Sequence, residues 1–502
     1  MADFPVLYNK LKKYAAGDFY PFHMPGHKRQ VLGVRDFDFM DPYQMDITEI
    51  EGFDNLHHPE GVIRESMEWA ASVYGSDRTY YLINGSSCGI LSAISGVVPR
   101  GGTLLMSRNC HKAVYHGVFL NSLRTKYVYP QFMEKYGVQC GLSPEKIHRM
   151  LEEDKDISAV LVVSPTYDGI VSDIESIAKI CHGKNIPLIV DEAHGAHFRY
   201  GDIFPTSALE LGADVVIQSV HKTLPCFTQS AILHLREGYV DRERVERYLQ
   251  IYQSSSPSYV LMAGIELGIW WMEQEEGRGR MKDFSDSLLE LRRELKTMKN
   301  LKLMGREIAG LKDIFDMDVS KIIVSAKGTG ISGVELCRRL REEYHLEMEM
   351  CTEDYVTAIA AVMDTREGLW RLKDAFLDID AGLRGDKGQK PSWNPGPEKW
   401  EAKIVLPIHE AWDGKKELIP LRKGLGRISA GFIYVYPPGI PVIAPGERFT
   451  GEVVSTILRY KEEGLCVHGW ESDPEGISPQ GEYFVSVLKK EEDDDHGNIA
   501  GD

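Results

Sequence analysis

Three short segments of this sequence carry residue types that could do chemistry together. The first is Ser219-Val220-His221-Lys222, directly after the apolar run at 214–217. An ammonium group is costly to bury, so a lysine at the end of a buried strand has a lowered pKa, and its neutral amine can condense with an aldehyde. Alone, the segment describes a surface lysine just past a strand equally well. The second segment, Asp191-Glu192-Ala193-His194-Gly195, follows the apolar run 187–190 and puts an acid at a strand's carboxyl end. Alone, Asp191 would serve to cap a loop or helix. The third, Asn84-Gly85-Ser86-Ser87-Cys88-Gly89-Ile90, joins a strand to a helix-like run at 90–98. Its small residues let backbone N–H groups and the hydroxyls of Ser86 and Ser87 approach a phosphate at a helix N-terminus. In chain order these are a phosphate cradle, an acid and an aldehyde-binding lysine. Pyridoxal phosphate needs all three: the lysine for its aldehyde, and the acid to keep its pyridine nitrogen protonated as an electron sink. His111, in Arg108-Asn109-Cys110-His111-Lys112, follows the strand at 103–106 and could stack on such a ring. His221 could contact the phosphate, a substrate carboxylate or a proton in transfer.

Those residues need a sheet to hold them. Short apolar runs at 80–83, 103–106, 159–163, 187–190, 215–217 and 231–233 have the length of buried strands. Most are far enough apart for a crossover helix, which predicts an α/β fold with a mostly parallel sheet; the last two lie closer together and leave their relative direction open. A long helical region at 258–298 leads to a smaller α+β unit, and Pro/Gly-rich residues follow it. The expected division is an N-terminal segment 1–60, a cofactor-binding large domain 61–300, a small domain 301–385, a linker 386–400, a C-terminal domain 401–488 and an acidic, disordered tail 489–502.

The 502 residues suffice for two or three domains, and a content of 43% apolar and 26% charged residues is that of a globular protein. A net charge of −17 speaks against nucleic acid as a partner and favours cationic substrates. No run reaches the roughly 18 apolar residues that would cross a bilayer, and no secretion signal is evident. Eight scattered cysteines without a CxxC pair predict neither a metal site nor a disulfide framework, and fit reduced thiols in the cytoplasm.

With these residues in view, the sequence resembles the prokaryotic ornithine/lysine/arginine decarboxylases, pyridoxal-phosphate enzymes of the aspartate-aminotransferase fold (fold type I), whose large domain has a seven-stranded, mostly parallel sheet. The resemblance covers nearly the whole chain. It begins at Phe22-His23-Met24-Pro25-Gly26-His27-Lys28 and runs through Asp54-Asn55-Leu56-His57-His58-Pro59, the three segments above, Ser164-Pro165-Thr166-Tyr167-Asp168-Gly169 and Ser254-Ser255-Ser256-Pro257. It ends at Tyr436-Pro437-Pro438-Gly439-Ile440-Pro441 and Pro445-Gly446-Glu447. The resemblance implies that Lys222 holds the cofactor, Asp191 pairs with its ring nitrogen, His111 stacks on the ring, and Ala193 and His194 pack near the other face. It further implies that Ser86, Ser87, Ser219 and His221 bind the phosphate. Ser255, with Ser254 and Ser256 as alternatives in register, would reach the cofactor of a neighbouring subunit, so the site would need a homodimer or a larger assembly of dimers. Glu447 is the first candidate for the substrate's distal cation, with Asp54 or Glu353 behind it. The first block begins near residue 23, without room for the receiver-like domain of the large inducible members. The length is similar to that of the shorter, biosynthetic members, many of them arginine decarboxylases. The expected reaction is decarboxylation of arginine, then lysine or ornithine, to the amine and CO₂ in polyamine synthesis. An aminotransferase or other lyase of the same fold, and a catalytically idle regulatory homologue, are the competing expectations.

Overall fold

The computed structural model describes residues 16–30, 42–383, 402–436, 439–462, 464–472 and 483–490. The expected linker 386–400 and the tail from residue 491 lie outside them. Contacts divide the chain into two compact units, Met1–Lys399 and Trp400–Asp502, so the expected large and small domains fall in one unit.

Seven strands form the central sheet: β1 (Arg78–Leu82), β2 (Thr103–Ser107), β3 (Arg124–Val128), β4 (Ile157–Val163), β5 (Leu188–Asp191), β6 (Val215–Gln218) and β7 (Ala231–Leu235), in the order β1-β7-β6-β5-β4-β2-β3. The pairs β2–β3, β2–β4, β4–β5 and β5–β6 are parallel. Strand β7 is antiparallel to both β6 and β1, which settles the direction left open by the short spacing. Six of these strands lie near the apolar runs. The seventh, β3, was not expected because its sequence, Arg-Thr-Lys-Tyr-Val, is largely charged and polar. It forms one edge of the sheet, and its first three residues are not buried. Charged side chains on an edge strand discourage pairing with another chain.

Register decides what the sheet can hold. Asp191 pairs with Ile217 across β5–β6 and with Val163 across β4–β5, while Gln218 faces Ile232 and Leu82 faces Ala231. The ends of β1, β4, β5 and β6 therefore share one edge, and the loops carrying the expected chemistry all leave from it. Ligands of α/β sheets bind at such carboxyl edges.

Helix α1 (Val62–Tyr74) precedes β1, α2 (Gly85–Val97) follows it, and α3 (Lys112–Leu120) follows β2. Helix α2 packs tightly: a Cβ on Gly89 would lie 2.6 Å from Leu82 Cδ1 and 3.2 Å from Ile217 Cγ2. The single helical region expected at 258–298 is two helices, α4 (Tyr259–Glu273) and α5 (Glu275–Leu295), broken where Gln274 adopts extended backbone. Beyond them β8 (Lys302–Leu303), β9 (Lys321–Ser325), β10 (Met350–Cys351) and β11 (Tyr355–Ile359) make an antiparallel sheet in the order β8-β9-β11-β10. An N-terminal strand, Tyr20–Phe22, pairs in parallel with Leu346–Met348. The second unit has its own core, including Ile433, Phe449, Ile457 and Val485.

Gly89→Ala should cost about 1–3 kcal/mol through overpacking against β1 and β6. A urea unfolding midpoint equal to wild type would show that α2 is not held this closely.

Candidate active site

The turn after β6 carries Ser219 and a single helical turn, Val220–Thr223, that presents Lys222. Lys222 is half-buried, and burial lowers its pKa, against the opposing pull of Asp191 and Glu349. Its Nζ lies 2.9 Å from His194 Nε2. On the adjacent strand end, Asp191 is buried and its Oδ1 accepts the Ala193 N–H at 3.2 Å. Burial raises the Asp191 carboxyl pKa, and the charge of Lys222 partly offsets this. Asp191 at the end of β5, Ala193 and His194 just after it, and Lys222 on the turn after β6 thus come together.

His111 is the N-cap of α3, where its Nδ1 accepts the Ala113 N–H at 3.2 Å; that leaves the proton of the neutral ring on Nε2. Burial, reinforced by Lys222, lowers its pKa to about 4. His221 Nδ1 lies 2.7 Å from the Ser230 carbonyl, which must accept, so Nδ1 donates. Burial lowers the His221 pKa to about 4, and its neutral Nε2 presents a lone pair. Contact with a phosphate at that nitrogen would require protonation.

The residues present fit pyridoxal phosphate. Helix α2 begins at Gly85 with no side-chain cap from Asn84, which leaves its first N–H groups and Ser86 and Ser87 at the edge of the sheet where a phosphate can be held. Gly85 itself has φ +76°, the left-handed region that favours glycine. Ser219 Oγ is buried and has no hydrogen-bond partner among the described residues, and the same holds for Ser230 Oγ. Orphaned buried hydroxyls are costly and call for an acceptor or donor.

The His-Met-Pro-Gly-His-Lys block closes over this turn. The Gly26 N–H donates to the His221 carbonyl at 2.7 Å, and a Cβ on Gly26 would lie 2.7 Å from the Thr223 carbonyl carbon. Lys28 is buried, and its Nζ donates to the carbonyls of Pro21, His23 and Ile359, with Asp364 at 3.9 Å.

Asp54 and the Ser254–Ser256 loop belong to the first unit, and Glu447 belongs to the second. Asp54 is engaged as a backbone cap: its carboxylate accepts the N–H groups of Asn55, Glu60, Gly61, Ile63 and Arg64 at 2.8–3.3 Å. The expected substrate contact there gives way to this structural duty at the start of α1. Glu447, in the second unit, is buried, and its Oε2 accepts the Ala444 N–H at 2.9 Å. Ser254, Ser255 and Ser256 are exposed, on a loop tied down where His57 Nε2 meets the Ser254 carbonyl at 2.6 Å. A cavity of about 580 Å³ beside α1 and β1 is lined by His57, Arg64, Tyr80 and Gln253, and by none of the cofactor-binding candidates.

Two side chains were missed. Lys321 opens β9 and is fully buried, with its Nζ 2.8 Å from His194 Nδ1. Glu349 accepts the Tyr167 hydroxyl on one oxygen and the Met24 N–H at 3.0 Å on the other. Lys321 carried a legible signal, a lysine heading an apolar strand. Glu349 carried none within its alternating Leu-Glu-Met-Glu-Met segment.

This sheet, with a lysine and an acid on neighbouring strand ends, defines a pyridoxal-phosphate enzyme of the aspartate-aminotransferase fold. The lysine decarboxylase of Francisella novicida superposes with a TM-score of 0.77 at 21% identity, over 96% of this chain and 81% of that one. Residues 5–325 match the major domain of the Orn/Lys/Arg decarboxylases, and residues 403–489 match their C-terminal domain. Curated arginine decarboxylases are 32% identical in Bacillus subtilis, over 93% of this chain and 95% of that protein, and 33% identical in Bacillus anthracis, over 93% and 94%. The chain belongs to the Orn/Lys/Arg decarboxylase family. It is a pyridoxal-phosphate-dependent decarboxylase of basic amino acids, which sets aside the aminotransferase expectation.

In the cofactor-free chain, the half-buried His111 and His221 should stay neutral at about pH 6, where a free histidine is largely protonated, and should titrate near pH 4. Histidine NMR titration checks this, and midpoints at or above 6.5 would contradict the burial.

Proposed function

We propose that the substrate is L-arginine and the product agmatine, feeding polyamine synthesis, and that the working unit is a homodimer. The observation that carries the catalytic reading is the parallel register of β5 and β6, with Asp191 opposite Ile217 and Lys222 on the turn just beyond. In this reading Lys222 binds the cofactor's aldehyde, Asp191 holds the ring nitrogen's proton, and His111 stacks on the ring. Ala193 and His194 cover the opposite face, while Ser86, Ser87, Ser219 and His221 receive the phosphate. The bound cofactor supplies the electron sink for the pair left behind when CO₂ departs. The protein's part is to orient the substrate, exclude water and return a proton at Cα from the Lys222 amine, or from His221 once its Nε2 has taken up a proton.

Arginine is favoured by the similarity to curated arginine decarboxylases over nearly the full length of both chains. Glu447 remains the candidate reader of the distal guanidinium, and Asp54 is left out because its carboxylate is already occupied. The dimer is favoured by the exposure of Ser254, Ser255 and Ser256, whose loop is open to a second subunit. Eight cysteines outside any disulfide accord with a cytoplasmic location.

Incubation with arginine, lysine and ornithine, with products identified by mass spectrometry, should give agmatine as the dominant amine with matching CO₂. Cadaverine or putrescine as the main product would overturn the arginine assignment. Lys222→Ala and Ser255→Glu should each abolish turnover alone. After co-refolding of equal amounts, the mixture should regain about a quarter of the wild-type sites, because about half of the dimers are mixed and one of the two sites in each carries neither change. No recovery would count against a shared site.

A further inference from the structure

His194 stands between two lysines: its Nε2 is 2.9 Å from Lys222 Nζ and its Nδ1 is 2.8 Å from Lys321 Nζ. Each contact needs one donor and one acceptor. An ammonium can only donate, and a neutral imidazole offers one N–H and one lone pair. Two ammonium groups therefore cannot flank this ring. If one lysine is charged, it donates to His194, and the ring's remaining N–H must point at the lone pair of a neutral amine on the other side.

The surroundings decide which lysine keeps the charge. Lys321 lies in a built, fully buried site. Its Nζ is 5.8 Å from the centre of the Tyr167 ring; burial lowers its pKa to about 8, and the charges of Asp318, Glu349 and Asp168 oppose that fall. Gly169, at φ +82°, makes room for its stem, since a Cβ there would lie 2.6 Å from Lys321 Cγ. Lys222 faces Asp191 and Glu349 but also His111, His194 and His221, and it is partly open.

We propose that Lys321 is a positioning residue: as the charged member it donates to His194 Nδ1, fixes the ring with its proton on Nε2, and so holds Lys222 as a free amine whenever that amine is not bonded to the cofactor. Condensation of an amine with an aldehyde consumes the amine's lone pair, replaces C=O by C=N and releases one water, without oxidant or reductant. An ammonium has no lone pair to offer. Lys321 thus acts through His194 on the readiness of Lys222, without touching the substrate. The inference rests on the decarboxylase reading only in taking Lys222 as the cofactor's lysine, and its test reads the state of an amine rather than a product.

The full-length enzyme is stripped of cofactor with hydroxylamine and mixed with pyridoxal phosphate across a pH series. The rate at which the absorption band of the lysine-bound cofactor returns is then recorded. Removing the neighbouring positive charge makes the Lys222 ammonium a weaker acid. Lys321→Met should therefore move the rate profile up by about one pH unit and slow loading about tenfold near pH 7. Lys321→Arg, which keeps a charged donor, should restore the wild-type profile. An unmoved profile in a folded Lys321→Met dimer would overturn the proposal, as would equal shifts in both variants. Should Lys321→Met fail to fold, nitrogen-15 NMR of the cofactor-free wild type, with His194 assigned by loss of its signal in His194→Gln, decides the matter. A proton on Nε2 is expected, and a proton on Nδ1 would overturn the proposal. A chain that never forms the band, in any variant or the wild type, would instead refute Lys222 as the cofactor's lysine.

Discussion

Holding a lysine amine out of water beside a buried acid is the constraint around which the first unit is organised. Desolvation works against the ammonium form, and carboxylates nearby work for it. Asp191 and Glu349 pull one way at Lys222, while burial pulls the other. The geometry that sets this contest is the pairing of β5 with β6, which fixes the turn bearing Lys222 one strand away from Asp191. A one-residue slip in that pairing would turn every side chain to the opposite face.

The second requirement is that the lysine turn be held still. Val220–Thr223 is a single helical turn and cannot stabilise itself. The N-terminal block supplies the support. Gly26 approaches the turn so closely that any side chain there would clash, and Lys28 is anchored by three carbonyl groups from the same block and from β11. A buried ammonium satisfied by carbonyls and placed near Asp364 is a strong constraint on the backbone around it. The block that marks the family in sequence is, on this geometry, a brace for the turn that carries Lys222.

Much of this was legible in sequence because strand, turn and chemistry coincide in short segments. The runs before Asn84, Asp191 and Ser219 are apolar and short, so their ends locate the site without tertiary information. Strand β3 escaped because edge strands carry charge, and the break at Gln274 escaped because its immediate neighbours, Met272, Glu273, Glu275 and Glu276, are good helix formers. Asp54 misled for a related reason: a conspicuous acid in a marked block can be wholly occupied by backbone N–H groups, which only the fold reveals. Lys321 and Glu349 come from residues far along the chain, and nothing local says that β9 and the segment before β10 reach the sheet's carboxyl edge.

The central claim is that Lys222, rather than the buried Lys321 or Lys28 of the same unit, is the one that carries the cofactor. Borohydride reduction of the holoenzyme, followed by proteolysis and mass spectrometry, tests it directly. The account predicts a pyridoxyl-phosphate mass on the peptide containing Lys222 and on no other. The same mass on Lys321 or Lys28, or an unmodified Lys222 in fully active enzyme, would contradict it.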